Sequence, residues 1–337
     1  MLSICKTAQS CSFLHCLLHI IFTYVPERDK IVMKFIIVRL EGGLGNQMFQ
    51  YAFARAIQNR YGGRIFFDKH TFKNDAQRSF SLDVFELNEN VSRTADSAIF
   101  RFFFWFFRVA SRLLFICLKK VRLSRPFRSR IMALFGFFIQ DGSSYYNYMY
   151  PTVSPVRYIG GNWMSSKYFT EVSETVKSEL RLRRGILDDS AVMKTIKSTT
   201  AICVHIRRGD YVQAKWAVRN LVCDFDYYNR GLIKLAHSYE KPEFFIFSNT
   251  RQDISWIKKN YPFDVSVIYV DEEHSDFEDF ALMVECKHFI LSNSTYSWWA
   301  SYLAIHDNKS IIAPSKWNTG IYDQSDIYED DWTILNV

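Results

Sequence analysis

Two adjacent arginines, Arg207 and Arg208, stand where an apolar run of the chain ends, in the sequence HIRRGD of residues 205–210. The preceding AICV (201–204) is typical of a buried parallel strand, so the arginines are expected at its carboxyl end, where open α/β sheets bind ligands. Guanidinium groups are planar, bidentate donors that keep their charge at any working pH, which suits a pyrophosphate. The alternative is a surface ion network of Arg207, Arg208 and Asp210.

A second candidate binding element follows a short apolar strand near the C-terminus. Residues 292–295 (SNST) form a polar turn, and a helix then continues through Trp298, Trp299 and Leu303. Because these are cap-forming residues, the helix begins with free amides and the positive end of its dipole, an arrangement that binds phosphate. An N-cap alone explains one small polar residue, whereas four in a row favour a ligand surface.

A glycine-rich loop lies between the first strand and the first helix. The strand at 35–40 runs into EGGLGNQ (41–47) and then into an apolar helix that reaches Ile57. Glycines let the backbone turn tightly and approach a ligand closely. The dinucleotide-binding fingerprint needs a third glycine where this chain has Met48, and the sequence has no phosphate-binding loop ending in Gly-Lys-Ser/Thr. The loop therefore fits neither of these two nucleotide-binding classes.

Five segments of the chain, taken together, resemble the bacterial α-1,2-fucosyltransferases, the family of galactoside 2-fucosyltransferases. They are GLGNQMFQYA (43–52), GNWMSSKYF (161–169), HIRRGDY (205–211), FFIFSN (244–249) and NSTYSWW (293–299). The resemblance covers most of the chain from Met33 onward. Each motif alone is a weak signal, but five in the family's order are a strong one.

This resemblance implies an α/β glycosyltransferase of the B type (GT-B), with two Rossmann-like domains. The expected division is an N-terminal acceptor-side domain at 33–190, with a basic aromatic insertion at 97–140, and a C-terminal GDP-fucose-binding domain at 191–337. The implied reaction is metal-independent, inverting transfer of L-fucose from GDP-β-L-fucose. The acceptor is the 2-hydroxyl of a galactoside in a cell-surface glycan or its lipid-linked precursor. No cofactor is expected, since GDP-fucose is the donor substrate.

The same resemblance assigns the donor site residue by residue. Arg207 matches the arginine that holds the diphosphate, with His205 and Arg208 beside it. The turn at Ser294 and Thr295 matches the one that meets the β-phosphate. The full predicted donor site consists of Gly43, Gly45, Asn46, His205, Arg207, Arg208, Ser248, Asn249, Asn293, Ser294 and Thr295.

Asn249 departs from the family pattern. It stands where related fucosyltransferases often carry an aspartate that faces guanine. A carboxylate accepts hydrogen bonds from both the N1 and N2 donors of guanine, whereas an asparagine oxygen shares its edge with its own NH₂ group. The sequence therefore leaves guanine selectivity at this position open.

The expected chemistry follows from where charge develops. In an inverting displacement an acceptor hydroxyl attacks C1 of fucose while GDP departs. Arg207 and the amides of Ser294 and Thr295 would stabilise the charge that grows on the β-phosphate. Arg207 and Asp210 are the predicted catalytic residues, with Asp210 as the general base. Paired with Arg208, Asp210 could instead serve only to orient that arginine.

The sequence predicts no metal ligand. Asp224 and Asp226 have the spacing of the metal-binding carboxylates of other glycosyltransferases. They open a helix that continues through Tyr227, Tyr228 and Leu232, so capping is the favoured interpretation. The eight histidines are scattered without zinc-like spacing.

The C-terminal half alternates strands and helices as a doubly wound domain does. Strands are predicted at 202–206, 244–247, 265–270, 289–291 and 311–313, and Ser275 with Glu278 predicts a capping box. The N-terminal half is less regular and has a tyrosine-rich stretch at 145–158. In a B-type enzyme this half would hold the acceptor.

Composition indicates an ordinary intracellular enzyme. At 337 residues and 48% hydrophobic content the chain can bury two cores. The seven cysteines are an odd number without Cys-x-x-Cys spacing, which indicates a reducing compartment. The resemblance to bacterial enzymes implies that this compartment is the bacterial cytoplasm. Residues 1–32 are predicted to be a non-native or disordered extension, since Met33 directly precedes the first strand and no cleavage site follows the apolar run at 13–22.

The net charge of +7 arises in one aromatic segment, because residues 97–140 include nine basic residues and no acidic one. A membrane span is not favoured, since two central arginines cost about 5 to 7 kcal/mol and the apolar residues return about 6. At about 100° per residue, Arg101, Arg108, Arg112 and Lys119 share one helical stripe. Peripheral contact with the anionic inner face of the membrane fits this pattern. A core helix whose arginines meet solvent or an acidic partner fits equally.

Three functions stay open at this point. Fucosyl transfer leads, and transfer of another GDP-sugar such as GDP-mannose would use the same diphosphate clamp. A non-catalytic sugar-binding protein at the membrane surface would use the aromatic segment, but the intact Arg207-Arg208 pair argues against a decayed site. The sequence holds no nucleic-acid-binding motif, so no nucleic-acid partner is expected.

Overall fold

The computed structural model describes residues 34–75, 77–87, 91–92, 98–182, 187, 190–209, 223–272, 274–318 and 325–337. Two sheets, one of five strands and one of six, are parallel throughout and are covered by helices. The predicted α/β class is therefore confirmed. The predicted extension at 1–32 and the predicted base Asp210 lie outside the described residues.

The first sheet has the strand order β3-β2-β1-β5-β4. Its strands are β1 (Phe35–Arg39), β2 (Arg64–Asp68), β3 (Val91–Ser92), β4 (Phe137–Ile139) and β5 (Val156–Gly160). The helices of this half are α1 (Leu44–Tyr61), α2 (Ala98–Lys120), α3 (Arg125–Leu134) and α4 (Ser173–Glu179).

Strand β1 is buried on both faces, as a central parallel strand must be. Ile36 and Val38 point into the core on the side of α1, whereas Ile37 points to the opposite side, where α2 and α3 pack. The basic segment 97–140 thus contains α2, α3 and the edge strand β4, so its last residues belong to the sheet itself.

The second sheet has the order β11-β10-β9-β6-β7-β8. Its strands are β6 (Thr200–Ile206), β7 (Pro242–Ser248), β8 (Val267–Tyr269), β9 (His288–Ile290), β10 (Ile311–Pro314) and β11 (Thr333–Leu335). Its helices are α5 (Ala191–Ser198), α6 (Phe225–Ser238), α7 (Arg251–Asn260), α8 (Asp276–Val284) and α9 (Thr295–Leu303). All five predicted strands are confirmed, and the capping box of Ser275 and Glu278 is present.

The two halves meet where α1 packs against α9. Phe49 of α1 lies with its ring centroid 4.6 Å from that of Trp298 and 4.9 Å from that of Trp299. Trp299 also stacks on Phe169 at 5.6 Å. One continuous buried cluster joins these rings to both sheets. This packing brings the glycine loop before α1 to the polar turn before α9.

Among the helices within the described ranges, none combines the length and the apolar character that crossing a membrane requires.

Candidate functional site

Three strand ends stand side by side at the carboxyl edge of the second sheet. Strand β6 pairs with β7 so that Ile206 lies opposite Ser248, and it pairs with β9 so that Val204 lies opposite Ile290. The residues that follow are Arg207 after β6, Asn249 after β7 and the turn 292–294 after β9. The structure thus places the predicted arginines between two other predicted binding segments.

His205 is the last-but-one residue of β6, and its side chain is buried. Its Nδ1 atom and the hydroxyl of Ser292 lie 2.8 Å apart and share a hydrogen bond. Burial disfavours the imidazolium and, with the nearby charge of Arg207, lowers the pKa of His205 to about 3. The imidazole is therefore neutral at physiological pH, and it connects the end of β6 to the turn that follows β9.

Arg208 is held by α7. Its guanidinium carbon lies 3.3 Å from the centroid of the Trp256 ring, and its Nε atom lies 3.8 Å from Oδ1 of Asp253. The backbone N–H of Arg208 donates to Oδ1 of Asn249 at 3.3 Å. Sequence reasoning missed Trp256 and Asp253 as partners of this arginine, because the local pattern around Asp253 indicates only a helix cap.

The turn after β9 is fixed by its own side chains. Ser294 is the N-cap of α9, and its hydroxyl accepts a hydrogen bond from the N–H of Tyr296 at 3.3 Å. Asn293 is buried and donates through Nδ2 to the carbonyl of Trp317 at 3.0 Å. The side chain of Asn293 therefore shapes the turn from within. The N–H of Ser294, predicted to meet the phosphate, donates to the carbonyl of Ser292 at 2.8 Å and is thus used inside the turn. The N-terminus of α9 keeps the positive end of the helix dipole, which favours an anion.

The glycine loop reaches this turn from the other half of the molecule. Thr295 donates through Oγ1 to Oδ1 of Asn46 at 2.8 Å. A Cβ atom on Gly45 would lie 2.5 Å from the carbonyl carbon of Thr295, so only glycine permits the approach. Gly43 is the N-cap of α1 and has open space beside it.

Two buried glutamines of α1 hold the glycine loop in place, and sequence reasoning missed both. Gln47 donates to the carbonyls of Gly42 and Ser79 at 3.0 and 2.8 Å. Gln50 bonds both backbone groups of Glu41, accepting from its N–H at 3.0 Å and donating to its carbonyl at 3.1 Å. A fully buried polar side chain needs hydrogen-bond partners. Two glutamines within an otherwise apolar helix are therefore the signal by which the sequence could have indicated this role.

Ser248 plays a local part. Its hydroxyl donates to the carbonyl of Ile206 at 2.7 Å, which fastens β7 to β6 at the edge of the sheet. Gly209 follows the two arginines with a φ of +31°, and a Cβ atom there would lie 2.9 Å from Cγ of Asn249. The chain after Arg208 thus turns tightly against the Asn249 side chain.

An acidic cluster lies at the start of α8. The two ring nitrogens of His274 each lie 3.1 Å from a carboxylate, Nδ1 from Asp279 and Nε2 from Glu272. Burial raises the pKa of Asp279 to about 6, although His274 opposes the shift. The hydroxyl of Tyr296, in the first turn of α9, donates to the carbonyl of Asp276. These contacts join α8 to the helix whose N-terminus belongs to the candidate site.

The predicted capping role of Asp224 is confirmed. Asp224 is the N-cap of α6, and its carboxylate accepts from the N–H of Tyr227 at 2.8 Å. Asp226 pairs instead with Arg230 at 2.8 Å. Within the described ranges, no three His, Cys, Asp or Glu residues are grouped so that they could hold a metal ion.

Residues 35–336 of the chain match the family described as glycosyl transferase family 11. An α-1,2-colitosyltransferase of Escherichia coli is 31% identical over 296 residues, which cover 85% of this chain and 93% of that protein. The O-antigen biosynthesis glycosyltransferase WbnK of Escherichia coli is 25% identical over 315 residues, which cover 88% of this chain and 99% of that protein.

A similarity over a shorter stretch joins the chain to an animal enzyme. The galactoside α-(1,2)-fucosyltransferase 1 of Sus scrofa is 31% identical over 153 residues, which cover 41% of this chain and 40% of that protein. The family match extends over nearly all of the described chain. The resemblance found in the five motifs is thereby confirmed, and the chain belongs to glycosyl transferase family 11.

Proposed function

We propose that this glycosyltransferase moves L-fucose from GDP-β-L-fucose to the 2-hydroxyl of a galactoside, with inversion at C1. The acceptor is a galactose-containing oligosaccharide of a cell-surface glycan or its lipid-linked precursor. Two of the relatives, one nearly full-length, are named for α-1,2 linkages. We assign the enzyme to the bacterial cytoplasm, because this compartment supplies nucleotide sugars and is reducing, as the free buried cysteines require.

One observation carries the proposal: β6, which Arg207 follows, pairs with β9, after which the turn leads into α9. His205 and Ser292 join these two segments by a 2.8 Å hydrogen bond. A guanidinium fork and a helix N-terminus together offer charge and directed N–H groups to one ligand, which is what a diphosphate requires. We therefore assign Arg207 and the N-terminus of α9, which begins at Thr295 with Ser294 as its cap, to the diphosphate of the donor.

In the proposed displacement the acceptor oxygen forms a bond to C1 of fucose as the bond from C1 to the β-phosphate oxygen breaks. The electron pair of the broken bond leaves with GDP, so negative charge grows on the β-phosphate. Arg207 and the α9 amides interact most strongly with that charge in the transition state, which lowers the barrier. The proton of the acceptor hydroxyl passes to a general base, for which we keep Asp210.

Arg208 has a supporting role in this proposal. Trp256 and Asp253 hold its guanidinium, and Asn249 accepts from its backbone N–H. A stacked arginine keeps its planar fork in one orientation, so Arg208 adds positive potential at a fixed place beside Arg207.

The geometry of Asn249 bears on recognition of the base. Its side-chain oxygen is already used by the backbone of Arg208 at 3.3 Å. The NH₂ group can donate to O6 of guanine, and the oxygen keeps one lone pair, so it can accept from N1 or from N2 but not from both. We propose that another group accepts the second hydrogen bond from the donor edge of guanine in this protein.

The proposed architecture is that of a GT-B enzyme, with two Rossmann-like domains at 33–190 and 191–337 and residues 1–32 outside both. The all-parallel sheets with helices on their faces support it. The first domain would hold the acceptor and the second the donor. Cationic side chains and helix amides supply the positive charge at the diphosphate, so we propose that no metal ion is required.

Transfer of colitose is a second candidate, because the nearly full-length relative at 31% identity is a colitosyltransferase. Colitose lacks the 3-hydroxyl of fucose, and a diphosphate clamp does not distinguish the two sugars. GDP-mannose and a non-catalytic sugar-binding role remain as the alternatives to be excluded.

The test is incubation of the protein with GDP-fucose, GDP-colitose or GDP-mannose and a panel of galactose-ended acceptors. Released GDP and the linkage of the product, determined by NMR, are measured. We expect turnover with GDP-fucose and an α-1,2 linkage to galactose, and the Arg207→Ala variant serves as the control. Turnover with GDP-colitose alone would select the second candidate, and binding of sugars without turnover of any donor would contradict the proposed activity.

A further inference from the structure

Helix α2 has one face against the first sheet and one face in solvent. Phe104, Ser111 and Leu118, seven residues apart, are its buried residues. The opposite side presents Phe102, Trp105, Leu113 and Ile116, which are 48%, 49%, 58% and 39% exposed. The helix therefore carries large apolar side chains on the side that nothing in the described chain covers.

The exposed apolar side chains are concentrated in one segment of the chain. Of the fourteen large hydrophobic side chains that are exposed within the described ranges, nine lie between residues 99 and 135. Besides those of α2 they include Phe127 and Leu134 of α3 and Phe135 just after it. A patch of this kind marks a surface that binds something apolar. We refer to the exposed side of residues 99–135 as the outer face.

The basic residues divide between the two sides of α2. Arg108 turns inward and lies 3.4 Å from Asp68, so this member of the predicted stripe anchors the helix to the fold. Lys119 lies 3.9 Å from Asp141 but stays 55% exposed, so this pair contributes little. Arg101, Arg112 and Lys120 are exposed. The outer face thus combines positive charge with aromatic and aliphatic side chains.

We infer that the outer face docks the protein on the surface of an anionic lipid bilayer. A helix with aromatic side chains among basic ones lies at the boundary between headgroups and acyl chains, with its rings inserted and its cations near lipid phosphates. The segment 97–140 has no acidic residue that lipid phosphates would repel. The positive charge of this segment therefore complements an anionic bilayer along its whole length.

A second copy of the chain does not fit the same face. Two outer faces brought together would oppose positive charges to positive charges, which disfavours a symmetric dimer. An acidic protein partner would match the charge, and the experiment below separates it from lipid. Docking of this kind does not depend on the proposed transfer reaction.

The test is co-sedimentation of the full chain with vesicles of phosphatidylglycerol and phosphatidylcholine, compared with vesicles of phosphatidylcholine alone. We expect binding to the anionic vesicles at low salt, release at high salt, and weaker binding to the neutral vesicles through the apolar side chains. Each basic group near an anionic surface contributes about fivefold in affinity. The triple variant Arg101→Gln, Arg112→Gln, Lys120→Gln should therefore bind about a hundredfold more weakly.

Two further variants make the test specific. The control Lys234→Gln, Lys258→Gln, Lys259→Gln removes three exposed lysines of α6 and α7 and should leave vesicle binding unchanged. The variant Phe102→Gln, Trp105→Gln should weaken binding to both kinds of vesicle. Because all these residues are exposed, thermal unfolding and turnover of a small soluble acceptor should match those of the wild type.

Equal binding to anionic and neutral vesicles at low salt would overturn the inference. Equal losses in the triple variant and the lysine control would also overturn it, since the binding would then follow net charge alone. Absence of binding to any vesicle would also overturn the inference that the outer face docks on lipid. An acidic protein would then be the partner that fits this face.

Discussion

The hydroxyl of Thr295 donates a hydrogen bond to the side-chain oxygen of Asn46 at 2.8 Å, although 249 positions of the chain separate the two residues. Each stands in the first turn of a helix, α9 in one half and α1 in the other. The bond therefore fixes the glycine loop of the first half against the polar turn of the second. Both segments belong to the predicted donor site.

The approach of the two helices makes Gly45 irreplaceable. A Cβ atom at this position would lie 2.5 Å from the backbone carbon of Thr295, so Gly45→Ala must push α1 and α9 apart. We expect a loss of about 1–3 kcal/mol in the free energy of unfolding, typical of overpacking, together with lower kcat/KM. Urea unfolding and steady-state kinetics measure the two effects.

Gly43→Ala is the matched control. Gly43 has a φ of −77°, and a Cβ atom there would meet no other atom within 4 Å, so alanine should cost less than about 1 kcal/mol, the preference of an N-cap for glycine over alanine. Similar losses for both substitutions would contradict the steric argument. A large loss of activity at Gly43 with normal stability would instead indicate contact between this loop and a substrate.

Arg207→Ala should lower kcat/KM by at least about thirtyfold, the equivalent of about 2 kcal/mol of transition-state stabilisation. The physical reason is loss of a charge-assisted hydrogen bond to the departing diphosphate. Arg207→Lys keeps the charge but loses the planar fork, so its activity should fall between that of the wild type and that of Arg207→Ala. An Arg207→Ala enzyme within a few fold of the wild type would remove Arg207 from the mechanism.

Chelation should leave activity intact, because we assign the diphosphate to cationic side chains and helix amides. Asp224 already serves α6 as its N-cap, with the Tyr227 N–H at 2.8 Å. Asp224→Asn should therefore keep both stability and activity, whereas Asp224→Ala should cost about 1 kcal/mol of stability. Loss of activity in EDTA that Mg²⁺ restores, with an inactive Asp224→Asn variant, would make this residue a ligand.

Local patterns predicted the second sheet well. Buried apolar runs bounded by turn residues located all five predicted strands, and four of them, β6, β7, β9 and β10, lie inside the sheet and are apolar on both faces. The predicted strand at 265–270 is shorter in the structure, at Val267–Tyr269. Strand β11 was missed, since three residues at a sheet edge carry too little pattern to distinguish them from a loop.

The aromatic segment shows where periodicity reaches its limit. Its helix was predicted, but rings occur all around it, so sequence alone did not determine which side faces the sheet. Arg108, assigned to a common basic stripe, is drawn inward because Asp68 lies at the end of β2. That partner is 40 positions away. A contact of this kind depends on tertiary structure and leaves no local signal.

The candidate site was likewise predictable in its local segments but not in the contacts between them. Strand ends and helix starts placed the arginines, the glycine loop and the SNST turn, since topology brings the ends of neighbouring parallel strands together. The pairings between segments were not predictable from local sequence. The contact of Arg208 with Trp256 depends on how α7 packs against the sheet. The contact of His205 with Ser292 depends on the pairing of β6 with β9.

The last prediction concerns stability at low pH. The folded protein lowers the pKa of His205 from 6.5 to about 3, because burial penalises the imidazolium. Between these two values the unfolded chain binds a proton that the folded protein does not, so stability falls as the pH drops from 6.5 toward 3. His205→Asn removes the titrating group and should flatten this dependence between about pH 7 and 4.5, measured by urea unfolding. Groups such as His288 titrate in both proteins and cancel in the comparison. An unchanged slope in the variant would mean that His205 is not buried as a neutral imidazole.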